Sequence, residues 1–220
     1  MTYKIDKIGS SIFLKQNNKY ISPWHSLKWD INDKVFPYVC EIPAGTSCKM
    51  EVDLKNKHNP IVQDKYANGN LRHWSMAPKF SYGMISQTFE NPDKKCPIAD
   101  KYGDADPIDV VDISANGRVG DVLPAKLLGS FCLIDQGEAD WKIIVSTNDN
   151  DSLNKEILQD MFHFFETYKP NSKNYIHNNR QLFTEIETRD ILQLASINYK
   201  ELAERSKNDE KCDFWFPHTE

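Results

Sequence analysis

Six aspartates fall between residues 100 and 121. Three of them share one short string, Asp104-Ala105-Asp106-Pro107-Ile108-Asp109, that runs into the apolar stretch Val110-Val111-Asp112-Ile113. Two carboxylates about 4 Å apart repel by roughly 4 kcal/mol at an effective protein dielectric near 20. A fold that gathers several must therefore supply cations or force protonation. Hard carboxylate oxygens suit Mg2+, Ca2+ or Mn2+, and no Cys or His accompanies them here, which disfavours Zn2+. An EF-hand loop begun at Asp104 would need a ligand at Ile108, a glycine at Asp109 and a glutamate at Ala115, so that reading fails. Taken alone, the string is explained equally well as a solvated turn ahead of a strand.

Other clusters shift that balance. Asp135-Gln136-Gly137-Glu138-Ala139-Asp140-Trp141-Lys142 sets two more aspartates around a glycine-containing hairpin turn, and strand alternation places Asp140 and Lys142 on one face. A metal ligand beside an ammonium group implies a shared anionic ligand. The same alternation puts Lys49 and Glu51 on one face of another strand, with Glu41 just before the turn that feeds it. A core-facing strand would carry Val or Ile at such positions, because a buried unpaired charge is very costly. These charges face solvent or a wet polar site.

The elements that must position them are short strands. Between Val35 and Thr147, apolar or alternating runs are split by Gly, Pro, Asn and Asp, which predicts strands at 35–42, 49–54, 60–64, 83–89, 108–114, 122–128, 130–134 and 141–147. That spacing suggests a barrel or a sandwich. After Asn148 the period becomes helical through Ile157, Leu158, Met161, Phe162, Phe165 and Tyr168, with Asp151 or Ser152 as N-cap and Pro170 as the stop. A second helix is expected over 188–206, and both apolar stripes read as core.

With 220 residues, 40% of them hydrophobic, and no repeat or Gly/Ser linker, the chain reads as a single domain over 1–220: a barrel core at about 35–147, a helical part at about 150–206 and a tail at 207–220. The tail's Phe214-Trp215-Phe216 would dock on the body or on a partner. A net charge of −5 with no long Lys/Arg run argues against nucleic acid. No signal-peptide core or 18-residue apolar run is present, so a cytoplasmic protein without membrane contact is expected. Five cysteines at scattered spacings suggest neither a zinc knuckle nor a disulfide framework.

The string from Gly103 to Val110, followed by Asp135-x4-Asp140-Trp141-Lys142, resembles the signature of soluble family I inorganic pyrophosphatases. Ser22-Pro23-Trp24-His25, Glu41-Ile42-Pro43, Asn59-Pro60-Ile61-Val62-Gln63-Asp64, Leu71-Arg72 and Gln87-Thr88-Phe89-Glu90-Asn91-Pro92 look like its eukaryotic branch. The resemblance spans about residues 20–170. It implies a mainly β fold with packed helices (α+β): a distorted five-stranded closed barrel of OB type with two main outer helices. It also implies hydrolysis of diphosphate to two orthophosphates with several Mg2+ ions, Mn2+ substituting and Ca2+ inhibiting.

Carried over residue by residue, Asp104, Asp109 and Asp140 would hold the principal metal, with Asp109 shared by a second ion, and Asp106 would orient and deprotonate the attacking water. Asp135 and Glu51 would help hold the ions that arrive with substrate, and Glu41 would belong to the surrounding hydrogen-bond network. Lys49, Arg72, Tyr82, Lys142, Tyr168 and Lys169 match the family's substrate-side residues.

Some positions depart from the pattern. Ala105 stands where a small polar residue or glycine is usual, and its methyl group is expected to be tolerated because the side chain is not a ligand. The segment between Arg72 and Tyr82 is shorter than usual. Ala44-Gly45 replaces the Arg-Trp of the usual dimer contacts, which leaves a homodimer through those contacts in question. The segment from Pro170 to Lys173 only loosely matches the family's turn. Two other readings stay open: a metal-dependent nucleotide-diphosphate transferase, and a non-catalytic metal- or polyanion-binding barrel. The absence of Gly-rich βα turns argues against the transferase.

Overall fold

A computed structural model describes residues 3–169, 173–208 and 212–217. In chain order, its strands are β1 (Lys4–Ile8), β2 (Ser11–Gln16), β3 (Lys19–Ile21), β4 (Val35–Ile42), β5 (Met50–Val52), β6 (Ile61–Gln63), β7 (Ser81–Met84), β8 (Lys95–Cys96), β9 (Lys101–Tyr102), β10 (Asp109–Asp112), β11 (Val122–Asp135), β12 (Glu138–Ser146) and β13 (Tyr175–Ile176). Helices are α1 (Lys155–Thr167), a short α2 (His177–Arg180) and α3 (Glu185–Lys207).

Five strands close a ring in the order β12-β10-β7-β4-β11, with β11 returning to β12. Only the β10–β12 seam of this ring is parallel. Beside the ring lies a second sheet in the order β1-β2-β6-β5, with β3 paired to β2. The barrel interior is filled by Val110, Leu127, Ile143 and Val145, all essentially inaccessible. Gly83 is needed where β7 crosses β4, since a Cβ there would lie 1.8 Å from the Val39 carbonyl oxygen.

Both outer helices cover the barrel with their apolar faces. Met161, Phe162 and Phe165 of α1 pack with Phe131 and Ile144, and Ile191, Leu192 and Ala195 of α3 pack with Phe36 and Trp141. Asn154 caps α1, accepting from the Ile157 amide. The expected caps differ because Asp151 is engaged elsewhere, accepting from Ser114 and Ser146. Thr184 and Glu187 form a reciprocal capping box, so α3 starts ahead of residue 188. Pro170, the expected helix stop, lies outside the described residues.

Other boundaries moved for local reasons. The two strands expected at 122–128 and 130–134 are one long β11, bent by a bulge between Leu127 and Gly129. Strand β7 ends at Met84 instead of residue 89, because Ser86 turns inward to meet the Trp24 carbonyl. The N-terminal β1–β3 meander was not anticipated, although Asn17-Asn18, both at positive φ, marks its second hairpin.

Candidate active site

The aspartate string forms the loop that enters β10. Its backbone is tied to residues 90–91: the Gly103 amide donates to the Asn91 carbonyl (3.0 Å), the Ala105 amide to the Glu90 carbonyl (3.0 Å), and the Glu90 amide to the Asp106 carbonyl (2.9 Å). Gly103 must be glycine, since a Cβ would lie 2.3 Å from the Glu90 carbonyl carbon. Ala105 sits at φ +69°, in the left-handed region that costs a non-glycine residue roughly 1–2 kcal/mol. The expectation that alanine is innocuous here because its side chain is not a ligand therefore misses the backbone, which favours the glycine or small polar residue usual at this position.

Strand register does the rest. Asp109 lies opposite Lys142 across the parallel β10–β12 seam. The Lys142 ammonium, 1% exposed, donates to Asp109 Oδ2 (2.5 Å), to Asp140 and to the Tyr82 hydroxyl (2.9 Å). Tyr82 in turn donates to Asp109. Asp135, at the end of β11, receives Lys169 and the Tyr168 hydroxyl (3.1 Å), delivered by the end of α1. Lys49, just ahead of β5, meets Glu51 of that strand and Asp64, just past β6 (2.9 Å), where Arg72 also arrives. Glu41 is buried and accepts from the Val52 amide.

All these side chains open onto one cleft of about 1430 Å³, and each candidate site residue named from the sequence lines it. The structure brings two further acids to these residues, Asp64 lining the cleft and Glu90 beside Asp104 and Asp140. Glu90 is buried, with Oε1 accepting from the Trp141 amide and Oε2 unpartnered. Glu90, Asp104 and Asp140 each offer a carboxylate oxygen within 4.8 Å of the others. Asp64 gathers Lys49 and Arg72. Sequence reading placed both residues in matching segments without giving them a role. The cross-strand position of Asp64 opposite Lys49 was the available signal, but Glu90 offered none, since only tertiary contact brings it beside Asp104.

Crowding shows in the titration of these acids. Burial, and then Asp104, holds the Glu90 carboxyl well above the usual range, and burial, and then Asp106, does the same for Asp104. Glu41 is raised by burial and Asp109. Asp140 is raised by burial despite the opposing pull of Lys142. Asp106 is pushed up to about 7 by its enclosure, then by Asp109 and Glu51. Water still reaches its exposed carboxyl from the cleft mouth, which moderates the effect. An unpartnered buried carboxylate oxygen among acids that favour protonation fits a divalent cation, which would replace those protons with charge.

A closed five-stranded barrel with carboxylates gathered beside Lys, Arg and Tyr in one cleft defines the class of fold and site. The chain belongs to the inorganic pyrophosphatase family, whose model matches residues 38–200. It is 33% identical to a probable inorganic pyrophosphatase of Plasmodium falciparum over 221 aligned positions, covering 90% of this chain and 58% of that protein. It is 41% identical to the Drosophila melanogaster inorganic pyrophosphatase over 149 positions, covering 64% and 44% of the two chains. The chain spans about half the length of the curated relatives it matches. The type I inorganic pyrophosphatase of Toxoplasma gondii superposes with a TM-score of 0.82 at 26% identity, covering 91% of this chain and 99% of that one. The ring is thus an OB-type barrel, as the sequence implied. Among the described residues no helix is long and apolar enough to cross a membrane.

Proposed function

We propose that the chain hydrolyses inorganic diphosphate to two orthophosphates and uses Mg2+ to do so. The observation that supports this most is the convergence of Asp104, Asp106, Asp109, Asp135, Asp140 and Glu51 with Lys49, Arg72, Lys142 and Lys169 on one cleft. We assign Asp104, Asp109 and Asp140 to the principal cation, with Glu90 beside them, and Asp135 and Glu51 to cations that accompany the substrate. Divalent ions held there would acidify water and neutralise phosphate charge. Mg2+ is favoured because the donors are carboxylates, Mn2+ would substitute, and the looser coordination of Ca2+ would make it inhibitory.

Asp106 takes the proton of the attacking water. It lines the cleft as an exposed residue with neither a Lys nor an Arg bound to it among the described residues, which leaves its carboxylate free to accept a proton. The water oxygen bonds to one phosphorus as the bridging P–O bond breaks, and that bond's electrons leave with the second phosphate. Lys49, Arg72, Lys142 and Lys169 donate to phosphate oxygens and stabilise the charge that develops on both halves, with the hydroxyls of Tyr82 and Tyr168 orienting them. Glu41 supports this network through the Val52 amide.

We read residues 1–220 as one domain acting in the cytoplasm on a small anion, without nucleic acid or membrane as partner. If it forms a homodimer, Ala44 and Gly45 indicate contacts other than the usual ones. Orthophosphate release from diphosphate should require Mg2+ and fall by about 10²–10⁴ in Asp106→Asn with the fold intact. Cation binding without any phosphate release would leave a binding barrel instead.

A further inference from the structure

The aromatic tail that the sequence left without a role docks on the body. The Trp215 amide donates to the Leu54 carbonyl (2.8 Å), and His25 Nε2 donates to the Trp215 carbonyl (2.8 Å). Phe216, 1% exposed, stacks on the His25 ring at 4.4 Å and meets Trp24 at 5.6 Å. These anchors present Phe214 to the body. Its ring meets Phe89 edge-on at 5.7 Å and Trp24 at 5.5 Å, and it also lines the cleft. Phe89 is 1% exposed and directly precedes Glu90, the residue whose backbone carries the aspartate loop and whose side chain stands beside Asp104 and Asp140. Phe214 also packs in the same apolar cluster as Ala105, the strained residue of that loop.

We infer that the C-terminal segment 212–217 is a positioning element of the cation site. Phe214 wedges against Phe89 and so fixes the strip at 89–91 on which the loop from Gly103 to Asp106 hangs. The wedge matters because the loop holds its shape against a left-handed alanine and against repulsion among its own carboxylates, so a support removed on one side lets it relax. Edge-to-face ring contacts of this kind contribute beyond simple burial and are directional, which suits them to setting a position.

This inference rests on the cation site proposed above, and Mn2+ binding by calorimetry on the full chain tests it without measuring turnover. Phe214→Ala should weaken Mn2+ binding about tenfold, the low end for residues that orient metal ligands from outside the ligand shell. Asn154→Ala, which removes the α1 N-cap and lowers stability, should leave the affinity unchanged, separating positioning from stability. If Phe214→Ala fails to fold, Phe214→Leu keeps apolar bulk without a ring edge and should bind about threefold more weakly. Affinity within about twofold of the parent in the folded alanine variant would overturn the inference, as would parental affinity in the leucine variant. A parent chain that takes up no Mn2+ would overturn it as well. Cation binding without diphosphate hydrolysis would sink the proposed function alone and leave the tail to the calorimetric comparison.

Discussion

Replacing Lys142 by Met tests the electrostatic logic of the site most directly. The ammonium is almost wholly buried and contacts two carboxylates and a phenol. At 2.5 Å, the Asp109 contact alone has a gross Coulomb energy of roughly 6–7 kcal/mol at an effective dielectric near 20. Desolvating each ion takes several kcal/mol of that back, so the intact pair contributes little net stability. Deleting one partner is different, because Met fills the volume but leaves the buried Asp140 and the half-buried Asp109 without a counter-charge, an arrangement that costs about 3–5 kcal/mol. In a chain of this size each kcal/mol shifts the melting temperature by roughly 2–4 °C, so Lys142→Met should melt roughly 6–20 °C lower at pH 8 in chelator. The loss should shrink at pH 5.5, where Asp140, already inclined to hold a proton, can neutralise itself. Thermal unfolding followed by circular dichroism measures both. A loss under about 1 kcal/mol at pH 8 would refute the reasoning, since it would mean that the two carboxylates do not need the ammonium.

The other consequences concern titration and backbone. Glu41, Glu90, Asp104, Asp106 and Asp140 all have folded pKa values above their unfolded ones, so the folded state binds more protons between the two. Stability without cations should therefore fall as pH rises from about 4 toward 8, the reverse of a protein held by salt-bridged acids, and Mg2+ should raise the melting temperature more at pH 8 than at pH 5. A chelated protein that is more stable at pH 8 than at pH 5 would contradict this. Ala105→Gly should stabilise the fold by up to about 1 kcal/mol in urea unfolding, as relief of the left-handed strain outweighs the added freedom of the unfolded chain.

Much of the site was legible in the sequence because it is built from local signals. The spacing in 104–109, the hairpin turn at 135–140 and strand alternation at Lys49 and Glu51 place charges on definite faces whatever the fold around them, and all of them open onto one cleft. What was missed depends on distant contacts. Glu90 reads as one acid after an aromatic until residues 103–106 fold back onto it, and Asp151 looks like a helix cap until Ser114 and Ser146 claim it. The two expected strands merge into β11 because a bulge at Gly129 lets the chain bend without breaking its ladder.

The sequence by itself therefore determined which groups the site would gather, carboxylates beside Lys, Arg and Tyr, because side-chain type and strand periodicity are properties of short segments. Tertiary structure alone decided the distant partners: Lys142 on Asp109 and Tyr82, Lys49 and Arg72 on Asp64, and Phe214 against Phe89. Those pairings arise when the five-stranded ring closes and the tail docks, since closure sets which faces meet, and an electrostatic or packing energy exists only between groups that the fold has brought within a few ångströms.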